Sequence, residues 1–129
     1  MLMTSHLHLI VRAKQGSKLS DIIRDFKKHV AKAVIEKIKT EPESRREYLL
    51  THFIKAGKAD ARITTYKFWK EDNHAINLPP EMPDMFQHKM DYIHLNPVKE
   101  GIVANAHEYL YSSALDYSGK KGMVNVTVV

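Results

Sequence analysis

The chain has 129 residues, 43% hydrophobic and 27% charged, a balance that supports one sizeable core and excludes wholesale disorder. Lys and Arg number 20 against 15 Asp and Glu, a formal charge of +5, which suits a polyanionic partner and equally a plain solvated surface. Cysteine is absent, which excludes disulfides, thiolate metal centres and a cysteine nucleophile, so any metal must be held by His, carboxylate or amide groups.

Ser5-His6-Leu7-His8-Leu9-Ile10-Val11 reads as a strand. Alternation places His6 and His8 on one face and Leu7, Leu9 and Val11 on the other. Two neutral imidazoles at i and i+2 make half of a divalent-metal site that needs further ligands from elsewhere. The apolar run is too short to cross a bilayer, and no signal-peptide pattern precedes it, so a bacterial-type cytoplasmic location without membrane association is the expectation.

Lys14 to Lys18 reads as a polar turn leading into a helix. From Leu19, the residues Ile22, Ile23, Phe26, Val30, Ala33, Val34 and Ile38 recur at helical spacing. The lysines around them form either a solvated face or a rail for a DNA backbone. Pro42 suits the first turn of a second helix carrying Leu49, Leu50, Phe53 and Ile54, with Gly57 as its stop. Residues 63–70 read as a strand; Phe68 and Trp69 either pack in a core or stack on an unpaired base. A second short strand is expected over His74 to Leu78. Pro83 and Asp84 open a helix that is expected to end where Pro97 removes a donor. A short helix is expected around Tyr109 to Tyr117, and Met123 to Val129 has strand character.

In the helix from Asp84 to Asn96, Phe86, Met90 and Ile93 form the apolar stripe. Tyr92 and Asn96 share a different face, one turn apart. A phenol can attack phosphorus if a cation neutralises the phosphate oxygens, and an amide oxygen four residues on can hold that cation. Tyr48 competes, with His52 four residues on, and Asn-Pro is also an ordinary helix-end signal.

Taken together, Thr4 to Val11, Leu19-Ser20-Asp21-Ile22, Phe68-Trp69, Tyr92-Ile93-His94-Leu95-Asn96-Pro97-Val98-Lys99-Glu100-Gly101-Ile102-Val103 and Tyr109-Leu110-Tyr111-Ser112-Ser113-Ala114 resemble a single-tyrosine HUH transposase of the REP-associated tyrosine transposase-like branch. The resemblance implies one α+β domain over residues 1–129, ferredoxin-like, with an antiparallel sheet and helices on one face. A helical insertion would occupy about residues 19–57. It implies Mg²⁺ or Mn²⁺ on His6, His8 and Asn96, with Tyr92 as the nucleophile that forms a 5′-phosphotyrosine on single-stranded or hairpin DNA, in a homodimer. Thr4-Ser5 stands where the family has Pro-Asn, and the strand and helix that family members carry ahead of this strand are missing. A remnant that retains only DNA binding, and a metal-binding domain unrelated to DNA, are the alternatives. Roles for His88, Lys89 and His94 stay open.

Overall fold

A computed structural model describes residues 1–62, 65–71 and 74–129. The chain divides into two compact units, one of Arg12–Ala75 and one of Met1–Val11 with Ile76–Val129.

The unit Arg12–Ala75 is a helical pair. Helix α1 spans Leu19–Thr40 and α2 spans Arg46–Lys58, and the two pack on each other. Ile23, Val30, Val34, Ile35 and Ile38 form the covered side of α1, and Leu49, Leu50, Phe53 and Ile54 that of α2. The second helix starts four residues beyond Pro42, so the proline lies in the connection. Arg46 explains the late start. Its Nε donates to the Ile38 carbonyl at 2.8 Å and its Nη2 to that of Glu41 at 2.7 Å, satisfying acceptors that the end of α1 leaves over.

No strand is found over the described part of residues 63–70, and Ile63 and Thr64 lie outside the described residues. The aromatic run packs on the helices instead. The Lys67 amide donates to the Phe53 carbonyl at 3.0 Å. Phe68 meets Phe53 at 5.4 Å between ring centres, and Trp69 donates its indole N–H to the Lys27 carbonyl at 2.9 Å. Asp60 ties the segment down. Hydrogen bonds from Arg62, then from Lys67, hold its carboxyl well below the usual carboxylate range.

In the other unit the N-terminus folds back as a short hairpin. The Met3 amide donates to the His6 carbonyl at 2.9 Å, the His8 amide to that of Met1 at 3.0 Å, and the Met1 ammonium to that of His8 at 2.9 Å. Its ladder is a single antiparallel bridge between Leu2 and Leu7. The hairpin is anchored at Leu2, whose amide donates to the Tyr111 carbonyl at 2.9 Å and whose carbonyl accepts from the Tyr109 hydroxyl at 2.8 Å.

Helix α3 spans Pro83–Lys99 and runs through Pro97 rather than ending there. Proline in the last turn removes one hydrogen bond, and Gly101 compensates from beyond the helix end. At φ +69° it lets the Gly101 amide donate to Val98 at 3.0 Å and the Ile102 amide to Pro97 at 2.9 Å, the two bonds of a Schellman cap. A 3₁₀ turn, Ala106–Glu108, carries a capping box between Asn105 and Glu108. A four-residue helix α4, Ala114–Tyr117, follows, so the short helix expected over Tyr109 to Tyr117 occupies only its second half.

The expected ferredoxin-like antiparallel sheet is therefore wrong for this chain: among the described residues there are helices and one isolated bridge, and no strand. A strand persists only where its backbone groups find partners. Met1 to Met3 supply them as far as His8; beyond that point Leu9 and Val11 are exposed at 46% and 48%, instead of lying under a sheet. His74 to Leu78 and Met123 to Val129 likewise form no strand.

Candidate active site

The inner stripe of α3 fixes what its other faces present. Phe86, Met90, Ile93 and Pro97 follow one another at spacings of four, three and four residues, with Met90 and Pro97 buried. At 100° per residue, Tyr92 and Asn96 then lie roughly 90–130° around the helix from that stripe. Tyr92 is 50% exposed, and Asn96 is half-buried one turn further on. The Glu100 amide donates to the Asn96 carbonyl at 3.0 Å, so the capped end of α3 holds this residue in helical geometry.

The hairpin brings His8 to this face, across 88 positions of sequence, with His6 next to it. The Asn96 amide nitrogen lies 2.9 Å from His8 Nε2. The His8 ring stands edge-on to Tyr92 with centroids 5.9 Å apart, and His6 stands edge-on to His8 at 4.8 Å. His6, His8, Tyr92 and Asn96 thus form one cluster. The two histidines are held without a sheet by backbone hydrogen bonds from Met3 to the His6 carbonyl and between Met1 and His8.

Electrostatics favour a neutral His8. Burial, then the neighbouring His6 and the N-terminal amine, lower its pKa from the ordinary imidazole value. The amine is itself lowered by burial. A neutral imidazole keeps a lone pair for a hydrogen bond or a metal.

His6, His8 and Asn96 are of the donor types that could hold a divalent cation. His8 lies against the Asn96 amide with His6 beside it, and a half-turn of that amide exchanges its nitrogen for its oxygen next to His8. Among the described residues no group of three or more His, Cys, Asp and Glu side chains is placed to hold a metal, so no carboxylate joins the set. A cation here would need further oxygen ligands from outside this set.

Lys99, which sequence reasoning did not single out, stands seven residues after Tyr92, and its Nζ lies 5.5 Å from the centre of the phenol ring. Spacing of two helical turns was the signal for it. His88 and Lys89 line an open groove along α3, with Met82, Met85 and Tyr92. His94 points elsewhere: its Nε2 lies 2.9 Å from the Ser113 hydroxyl and its ring 5.2 Å from Tyr117, and burial lowers its pKa.

Comparison of the chain with family models, curated proteins and solved structures finds no match. Among the described residues no helix is long and apolar enough to cross a membrane.

Proposed function

We propose that the protein is a metal-dependent tyrosine nuclease and strand transferase of single-stranded DNA, of the single-tyrosine HUH transposase type. The observation that carries this reading is the placement of His8 between Asn96 and Tyr92, at 2.9 Å from the amide and edge-on to the phenol. A structural histidine needs one partner; here a second imidazole and a half-exposed phenol share the same corner.

The open groove that reaches Tyr92, lined by His88 and Lys89 and also by Glu81 and Asp84, supports the approach of a single strand along α3. Tyr92 supplies the attacking oxygen, its proton passing to solvent. The phosphorus–O3′ bond breaks, leaving a 5′-phosphotyrosine and a free 3′-hydroxyl, and attack by a second 3′-hydroxyl reverses the step without a nucleotide cofactor. His6, His8 and Asn96 would hold Mg²⁺ or Mn²⁺, which neutralises charge on the phosphate oxygens when bound. Lys99 adds a positive charge over the face of the phenol ring. The reading includes a homodimer, a cytoplasmic location and single-stranded or hairpin DNA as partner.

The test is incubation with an end-labelled pool of single-stranded hairpins in Mn²⁺, followed by denaturing electrophoresis. A protein–DNA adduct is expected from the wild type and from Tyr111→Phe, and none from Tyr92→Phe. An adduct that persists in Tyr92→Phe overturns the nucleophile assignment. Binding without any adduct from the wild type would leave a DNA-binding protein and no nuclease.

A further inference from the structure

The net positive charge of the chain resides in one of its two units. Within Arg12–Ala75 there are sixteen Lys and Arg against nine Asp and Glu, a net +7; the remaining residues hold four against six, a net −2. The unit that holds Tyr92 is thus slightly negative and does not draw in a polyanion, while the helical pair has a positive surplus.

Part of that surplus is locally neutralised. Arg24, Lys37, Arg45, Arg62 and Lys67 each pair with a carboxylate. The outer stripe of α2 differs. Tyr48, Thr51, His52, Lys55 and Lys58 follow one another at helical spacing on the side away from Leu49, Leu50 and Phe53, and all five are exposed. One carboxylate, the exposed Glu47, borders the stripe on its Thr51 and Lys58 side, and among the described residues neither Lys55 nor Lys58 is in an ion pair. Tyr48 is 68% exposed, and its ring runs nearly parallel to that of His52, at 19° with centroids 6.2 Å apart.

Two flat rings followed along the axis by two ammonium groups match what a single strand presents: bases to stack and phosphates to neutralise. A lipid surface fits poorly, because the apolar side chains of α2 are turned inward and leave nothing to insert. An acidic peptide would use the lysines and leave the rings without a role.

We infer that the outer face of α2 is a second contact for single-stranded DNA, where Tyr48 and His52 stack on bases and Lys55 and Lys58 meet phosphates. The inference rests on the reading of the substrate as DNA, and it assigns the affinity for that substrate largely to a unit that carries none of the cleavage chemistry.

Fluorescence anisotropy of the full chain with a labelled mixed-sequence single strand, titrated with salt, tests it. Tyr48→Ala should weaken binding on the order of tenfold through lost stacking. Lys55→Gln with Lys58→Gln should reduce the slope of log K against log salt by about 1.4, at roughly 0.7 for each phosphate contact to a single strand. Adduct formation at saturating DNA should be unchanged in both. Wild-type affinity and slope in both variants would overturn the inference while leaving Tyr92 in place. Equal competition by polyglutamate would overturn it in favour of an acidic protein partner. Conversely, a wild type that makes no adduct but loses affinity through these substitutions would retain the α2 contact and remove the nuclease reading.

Discussion

Gly101 joins the fold to the candidate site, and replacing it gives a measurable test. The Cβ of an alanine there would meet nothing within 4 Å, so the effect of Gly101→Ala is purely that of the backbone at φ +69°. An L-residue in this region costs about 1–2 kcal/mol. The reduced freedom of the unfolded chain returns about 0.4–1 kcal/mol, so the net loss is roughly 1 kcal/mol. For a unit of this size that is a fall of about 4–8 °C in Tm. Loosening the cap also releases the last turn of α3, where Asn96 sits, so adduct formation should fall along with stability. Thermal unfolding followed by far-UV circular dichroism, with the adduct assay alongside, reads both. Gly101→Asn should lose less, since Asn tolerates this conformation. Gly16→Ala, at φ +84° in the helical unit, should lose stability without a change in adduct yield at saturating DNA. Equal or greater stability of Gly101→Ala would refute the capping argument.

Three further outcomes follow from single contacts. Trp69→Phe keeps an aromatic ring but removes the 2.9 Å bond to the Lys27 carbonyl, and should lower the urea midpoint by an amount equivalent to about 1 kcal/mol; no change would mean that the bond adds nothing. Ser113→Ala removes the partner of His94 and should destabilise by about 1 kcal/mol while leaving the adduct with DNA intact, whereas loss of the adduct at full stability would give His94 a role in the chemistry. Glu108 has its carboxyl lowered by the Asn105 side chain, then by the Asn105 backbone, so its contribution is present above the ordinary value of 4.5 and disappears as pH falls through the lower folded value. Glu108→Gln should therefore unfold at a lower temperature than wild type near neutrality, with the difference closing on acidification; a difference independent of pH would rule out the charge as its source.

The helices were legible because their spacing is a local property. Ile23 to Ile38 and Leu49 to Ile54 each declare one covered face, and Phe86 to Ile93 does the same for α3. Helix ends were less so. Pro97 carries a strong stop signal, yet Gly101, four residues later, rescues the last turn with two hydrogen bonds. Pro42 reads as a helix start, but Arg46 spends its guanidinium on the end of α1 and α2 begins there. The sheet was misread for a physical reason: β-branched and aromatic runs signal a surface that wants covering, and here Phe68 and Trp69 are covered by helices, not by neighbouring strands. Of the candidate site, the shared face of Tyr92 and Asn96 follows from their four-residue spacing alone. The approach of His6 and His8 does not, because it depends on the hairpin's anchorage at Tyr109 and Tyr111, a contact between the two ends of the chain.

The most direct measurement is peptide mapping by mass spectrometry of the protein recovered from a reaction with single-stranded hairpin DNA in Mn²⁺, after digestion of the DNA to a short remnant. A 5′-phosphonucleotide carried on Tyr92, and absent when Asn96→Ala or His8→Ala replaces the wild type, is the expected result. A nucleotide on another residue, or strand cleavage with no covalent remnant, would contradict the role assigned to the cluster of His6, His8, Tyr92 and Asn96.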